Sequence, residues 1–233
     1  MIDPKRLLDE FLGAREPGRN SSTKDYADRV TGFAKDNPLA AGAIVAALLG
    51  TGTGRKLTKQ ALKLGGMAAI AGLAYKAYQN YQNGKTPGDA ASDKETNLLP
   101  PLEGTGFHPA QAPQGESEFA FALVRAMIAA ARADGHIDEE ERRRIAARLK
   151  ESGLDREGEA FLMSELEKPL DIDALVAAAK TDAQKVELYT ASRLAIEPKS
   201  RAERGYLNML AGRLKLPDTL VDHIEATVSE STA

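Results

Sequence analysis

Cysteine and tryptophan are absent from the 233 residues, and aromatic residues make up only 5% of them. Without cysteine the chain can form no disulfide, no zinc–thiolate site and no catalytic thiolate. No stretch shows the valine- and isoleucine-rich alternation that is typical of a β-strand. Alanine, leucine and charged residues dominate instead, as they do in helical proteins. The sequence therefore predicts an all-α fold.

Catalytic motifs are missing as well. The three histidines, His108, His136 and His223, are far apart in the sequence, and His223 is expected at the surface or at a cap of the last helix. The stretch "GTGTGR" at 50–55 lacks the spacing and the Lys-Ser/Thr pair of a phosphate-binding loop. The sequence predicts that the protein is not an enzyme.

Acidic residues are missing from one long stretch. Residues 37–88 contain no Asp or Glu but six Lys or Arg. Residues 1–86 hold 13 Lys and Arg against 7 Asp and Glu, whereas residues 87–233 hold 18 against 27. The net charge of -3 therefore hides a basic and an acidic region, which predicts two regions with different partners.

Two apolar segments rich in small residues lie inside this basic stretch, "PLAAGAIVAALLGTGTG" and "ALKLGGMAAIAGLAYKAYQNY". Small residues recur in them at four-residue spacing, which places them on one helix face and allows close approach of a second helix. A face for membrane contact or self-association is therefore predicted, and it includes Gly42, Gly50, Gly65, Gly72, Tyr75 and Tyr78.

The length of these segments leaves their role open. Their apolar cores, residues 39–49 and 64–75, hold 11 and 12 residues, whereas a helix that crosses a bilayer needs about 20. Extending the second to residues 57–81 gives enough length and places tyrosines where they would form an interfacial belt. The alternatives are a membrane span, a peripheral contact with anionic lipid, and a soluble helical hairpin that self-associates. Nucleic acid is not expected as a partner, because small apolar residues fit lipid or another helix better.

Four regions follow from these patterns. Residues 1–36 are predicted to form short amphipathic helices, and residues 37–82 a basic Gly/Ala-rich helical hairpin and possible membrane anchor. Residues 83–117 hold five prolines and five glycines, which predicts a disordered linker. Residues 118–231 are predicted to form a compact bundle of six or seven helices.

Start signals divide the last region into helices. Asp171 or Asp173 is expected to cap one helix, and Asp182 or a neighbour the next. Ser200 and Glu203 have the spacing of a capping box, and Pro217 precedes the last helix. Another helix is expected to run from Asp138 to just before Gly153.

The stretch "ADGHIDEEE", residues 133–141, places five acids and a glycine in nine residues. It is not a calcium-binding EF-hand loop, because with Glu141 at position 12 the ligand positions 1 and 3 fall on Ala130 and Arg132. One interpretation is a helix corner, in which Asp138 is an N-cap and Glu141 completes a capping box. The other is a hard-cation site formed by oxygen ligands.

The motif "A-x-ADG-x-I-D-x-x-E", followed by a helix pair with "E-x-x-YLxxLAxxLxL", resembles the tellurite-resistance protein B-like (TerB-like) helical domain. Together with the segment "KLGGMAAIAGLAYKAYQNYQ" and the proline-rich stretch, the chain looks like the YebE-like inner-membrane branch, the domain-of-unknown-function 533 family. The resemblance covers residues 40–230.

The resemblance implies a bacterial inner-membrane location, with the acidic domain on the cytoplasmic side, and a link with envelope or tellurite stress. It also implies divalent-cation binding at Asp134, Asp138, Glu141 and Glu203, with calcium, magnesium or manganese as candidates and no cofactor certain. At the second corner Glu197-Pro198-Lys199 stands where the family would have an aspartate. The expected function is that of a non-enzymatic membrane-associated protein whose acidic domain binds a protein partner, with a divalent cation as a candidate ligand. The alternative is a soluble self-associating scaffold without a metal.

Overall fold

Seven α-helices occur in the described part of the chain, and no strand does. The computed structural model describes residues 3–5, 7–8, 66–88, 104–133, 143 and 156–232. In chain order the helices are α1 Gly66–Gln82, α2 Glu116–Ala131, α3 Arg156–Glu167, α4 Ile172–Ala178, α5 Asp182–Ala195, α6 Arg201–Leu214 and α7 Asp218–Thr232. The predicted all-α class is confirmed. The helix expected from Asp138 lies outside the described residues, except that Arg143 is helical.

Helix α5 lies at the centre of the fold. It packs against α2 over its longest contact and also against α1, α6 and α7. Eleven of its fourteen residues are buried, among them the fully enclosed Leu188 and Tyr189. Most polar side chains of a helix that is covered nearly all round need hydrogen-bond partners inside the protein.

The helix starts follow from short-range capping. The Asp171 carboxylate accepts a hydrogen bond from the Ala174 amide at 2.9 Å. The Thr181 hydroxyl accepts one from the Gln184 amide at 3.2 Å. Each satisfies an amide that has no partner within its own helix. The predicted cap at Asp171 is confirmed, and the next cap falls one residue before Asp182.

Helix α1 is part of this core. It packs against α5 and more extensively against α7, and it buries Ile70, Leu73, Ala74 and Ala77. We expected residues 37–82 to form a segment apart from the C-terminal bundle. The structure differs for the portion from Gly66 onward, because its apolar face is covered by other helices of the same chain.

A left-handed glycine ends α1. Gly84 has φ +63°, and the Lys85 amide donates to the Asn80 carbonyl at 3.1 Å. The Gly84 amide donates to the Tyr81 carbonyl, also at 3.1 Å. This pair of bonds is a Schellman motif, in which glycine adopts a conformation that side chains disfavour.

The region expected to be a linker is partly folded onto the domain. Phe107 is buried, and its ring lies 5.5 Å from that of Tyr75 and 5.4 Å from that of Tyr78. Gln114 and Gln184 exchange amide hydrogen bonds at 3.2 Å. Residues 104–115, which include a 3-10 helix at Pro109–Gln111, therefore belong to the bundle. The prediction of a disordered linker over 83–117 is wrong for these residues, since their side chains join α1 to α5.

Replacing Leu73 by alanine should lower the free energy of unfolding of the whole domain by about 2–5 kcal/mol, because a fully buried leucine leaves a cavity. Chemical denaturation followed by circular dichroism measures the change. Gln79 is exposed on the same helix, so Gln79→Ala should change stability by at most about 0.5 kcal/mol. Equal, small effects of the two variants would show that α1 is not part of the cooperative core.

Candidate functional site

The structure describes the chain before the first acidic corner only as far as Ala133. Asp134, Asp138 and Glu141 lie outside the described residues. Helix α2 ends just before them, and Arg132 at its C-terminal end donates to the Lys168 carbonyl at 2.6 Å. Cation binding at these three acids stays a prediction.

The second corner contains the predicted capping box. The Ser200 hydroxyl accepts from the Glu203 amide at 3.1 Å, and the Glu203 carboxylate accepts from the Ser200 amide at 2.7 Å. Both bonds are present, which confirms the capping box. Glu203 is buried, and one oxygen of its carboxylate is engaged by its own helix start. The cap accounts for this residue without a metal.

Basic groups surround the rest of this corner. The Lys199 ammonium lies 3.1 Å from the Glu197 carboxylate. Arg204 donates to the carbonyls of Lys199 at 2.7 Å and Pro198 at 3.3 Å. In the described ranges, no three His, Asp or Glu side chains are grouped so that they could hold a metal ion. Among the described residues, Glu203 is therefore not part of a group of acids or histidines that could bind a cation.

A buried charge network joins α5 to α7. The Arg193 guanidinium forms an ion pair with Glu225 and donates to the Ile196 carbonyl at 3.0 Å and the Ser229 hydroxyl at 3.2 Å. The Tyr189 hydroxyl donates to the other oxygen of Glu225 at 3.0 Å. Arg193 is 4% exposed, so its charge depends on these partners for the solvation that water would otherwise supply.

Sequence reasoning missed this network. Tyr189 and Arg193 are four residues apart on one helix, and Glu225 and Ser229 are four apart on another, so each pair lies on one face. That spacing identifies two polar faces but does not show that they meet. Burial and the Glu225 carboxylate raise the pKa of Tyr189 above its usual value, which keeps its hydroxyl protonated as a donor.

A second polar contact joins α5 and α6 to α2. The Ser192 and Tyr206 hydroxyls both lie near the Ala126 carbonyl, at 3.3 and 3.4 Å. Burial raises the pKa of Tyr206 to about 12. Both hydroxyls point at a backbone acceptor within the helix contacts, which makes them cross-links between the helices.

Glu187 is a buried acid that takes no part in these contacts between helices. It is 3% exposed on α5, and burial raises its pKa well above the usual value of 4.5. Within the described part of the chain, its carboxyl has no ion pair or hydrogen bond. Desolvation disfavours the charged form of such a group, so the folded protein holds its proton to a higher pH than the unfolded chain does.

His223 does not lie at the surface, as the sequence reasoning expected. It is 5% exposed in the middle of α7, and its ring meets that of Tyr81 edge-on with centroids 6.3 Å apart. The expectation was wrong because α1 covers this face of α7. Nothing in the isolated pattern of the last helix indicates that α1 covers it.

The structure describes only part of the predicted face of glycines and tyrosines. Gly42, Gly50 and Gly65 lie outside the described residues. Gly72 is buried within the domain, and Tyr75 and Tyr78 pack on Phe107. In the residues described, no helix combines the length and apolar character needed to cross a membrane. The bundle's own packing thus explains the small and aromatic residues of α1.

Comparison with known proteins assigns the chain to a family. The family model described as "Protein of unknown function (DUF533)" matches residues 34–228. The chain belongs to this family. The match begins before α1 and ends within α7, so it includes both the basic segment and the helical domain.

A curated relative matches a smaller part of the chain. The "Uncharacterized protein in ampR 5'region" of Yersinia enterocolitica is 33% identical over 108 residues, which are 46% of this chain and 78% of the relative. No solved structure matches the chain.

Replacing Arg193 by alanine should lower the free energy of unfolding by about 2–5 kcal/mol, because a large buried side chain is removed and the partly exposed Glu225 carboxylate loses its cationic partner. The exposed pair between Arg213 and Asp173 provides the matched control, and Arg213→Ala should cost at most about 1 kcal/mol. Urea denaturation of both variants makes the comparison. Similar losses would mean that the buried network contributes no more than a surface ion pair.

Glu187→Gln should change how stability depends on pH. Because the folded-state pKa of Glu187 is raised, its contribution to stability is fully present below about pH 4.5 and is lost as pH rises toward the folded-state pKa. The variant, which has no proton to lose, should gain stability relative to the native chain as pH rises above about 4.5. Glu118 is exposed, so Glu118→Gln serves as the control and should show no such gain. A constant difference between native and Glu187→Gln chains from pH 4 to 8 would contradict this account.

Proposed function

We propose that the chain is a non-enzymatic, membrane-associated protein that binds anionic lipid through residues 39–63 and presents a helical domain to a protein partner. The observation that carries the proposal is the absence of any acid from residues 37–88, combined with six basic residues and two apolar segments. A basic and apolar stretch gains free energy from both charge attraction and apolar burial at an anionic lipid surface.

The packing of α1 narrows the lipid-binding region. From Gly66 onward the second apolar segment uses its apolar face within the protein. Lys76, one of the six basic residues, lies 3.8 Å from Glu230 of α7. The remaining candidates for lipid contact are the first apolar segment and the four basic residues that follow it, Arg55, Lys56, Lys59 and Lys63. The lipid contact is therefore assigned to residues 39–63, with α1 holding that region to the domain.

The wider relationship is also a proposal. Membership of the DUF533 family, the helical domain and the capping box at Ser200 and Glu203 agree with the TerB-like superfamily. On that relationship we place the protein at the bacterial inner membrane with its acidic domain in the cytoplasm, in a role connected with envelope or tellurite stress. The cation at Asp134, Asp138 and Glu141 belongs to the same proposal.

Vesicle flotation of the full chain tests the lipid contact. The protein should float with phosphatidylglycerol vesicles and should dissociate as salt is raised, because exposed charges are screened. Reversing Lys56, Lys59 and Lys63 to glutamate should weaken binding by at least about 100-fold, since each basic residue near an anionic surface contributes about 1 kcal/mol.

The matched control reverses three exposed basic residues of the helical domain, Lys180, Arg201 and Lys215. It changes net charge equally, so a general charge effect would weaken both variants alike and contradict the assignment to residues 39–63. Absence of the native protein from the floating fraction would contradict the membrane proposal. Concentration-dependent oligomers under that condition would instead favour the self-associating scaffold.

A further inference from the structure

The first residues of the chain are seated on the helical domain. Asp3 caps a helical turn, accepting from the Lys5 amide at 3.0 Å through its carboxylate and from the Leu7 amide at 3.2 Å through its carbonyl. Pro4 follows the cap directly, a position in which its missing amide hydrogen costs nothing. We call Asp3, Pro4, Lys5, Leu7 and Leu8 the N-terminal turn.

Apolar contact and charge together hold this turn. Leu7 and Leu8 are 1% and 0% exposed and belong to the hydrophobic core cluster of the domain. The Lys5 ammonium pairs with the Glu116 carboxylate in the first turn of α2. We call the surface that receives the two leucines, with Glu116 at its rim, the docking surface.

The turn and the domain that it contacts are far apart in the chain. Residues 9–65 lie between it and α1 in the sequence. The ion pair is partly exposed, with 44% and 31% of the two side chains accessible. Among the residues that the structure describes, two leucines and one partly exposed ion pair make this contact, and attachment through the intervening chain adds to the occupancy by raising the local concentration.

Every copy of the protein carries both halves of this contact. A turn from one copy can make the same leucine and Lys5–Glu116 contacts on another copy, and a reciprocal exchange closes as a symmetric dimer with no new interface. We propose that the docking surface is a self-association site that takes the N-terminal turn of a second copy. In dilute solution the turn occupies the docking surface of its own chain, and exchange between copies increases with protein concentration.

Charge reversal separates exchange from occupancy within one chain. Lys5→Glu and Glu116→Lys each place like charges together, both within a chain and between identical chains. When the two variants are mixed, both pairs in a reciprocally exchanged dimer have opposite charges. Sedimentation velocity should therefore show mixed dimers that are about tenfold tighter than the dimers of either variant alone, as the small energy of two exposed ion pairs requires.

Cross-linking identifies the contact directly. The chain has no cysteine, so a Lys5→Cys chain mixed with a Glu116→Cys chain can be joined by a bismaleimide only between copies. Covalent dimers should form, and adding Leu8→Asp to the Lys5→Cys chain should abolish them. Lys85 is exposed and outside the docking surface, so Lys85→Cys mixed with Glu116→Cys gives the background.

These measurements decide between exchange and a contact confined to one chain. Preferential mixed dimers, together with cross-linking above the Lys85→Cys background, would support the site. Cross-linking at background level in concentrated protein, or mixed variants that associate no better than each alone, would overturn it. Circular dichroism of each variant verifies that the helical domain is folded.

Discussion

The contact of α1 with α5 and α7 is the interaction on which the arrangement depends. Its buried residues, Ile70, Leu73, Ala74 and Ala77, join a segment of the basic region to the C-terminal bundle. Burying two large aliphatic side chains contributes a few kcal/mol, a substantial part of the net stability of a domain. The same contact encloses His223 beside Tyr81 and provides the surface on which Phe107 packs. It also takes Gly66–Gln82 of the acid-free stretch into the folded domain.

Polar groups inside the bundle are used mainly to connect helices. Arg193 and Glu225 join α5 to α7, and the hydroxyls of Ser192 and Tyr206 meet one carbonyl of α2. A buried ion pair of this kind contributes little net stability relative to an apolar contact, but losing one partner is costly. These groups therefore favour one packing arrangement of the helices. Glu187 is different, because its burial lowers stability once the carboxyl ionises.

Local features could be predicted from the sequence, whereas features that depend on packing could not. The capping box of Ser200 and Glu203 and the cap at Asp171 need only neighbouring residues, and both occur. The burial of α1 was not predicted, because twelve apolar and small residues fit lipid and protein equally well. The fold of residues 104–115 was not predicted, because their prolines and glycines are typical of a linker and the contact of Phe107 with Tyr75 and Tyr78 is not local in the sequence. At the candidate site, the sequence shows that Tyr189 and Arg193 share one face of α5, but it does not show that Glu225 of α7 is their partner.

The central claim is that α1 belongs to the folded domain while residues 39–63 meet the lipid. Hydrogen–deuterium exchange of the full chain, with and without phosphatidylglycerol vesicles, tests it most directly. Amides of Gly66–Gln82 should be protected as strongly as those of α5 before vesicles are added and should not change afterwards. Residues 39–63 should gain protection only when vesicles are present. Weak protection of α1 in solution that rises on vesicle addition would contradict the account, because it would show that this helix is a lipid-binding segment.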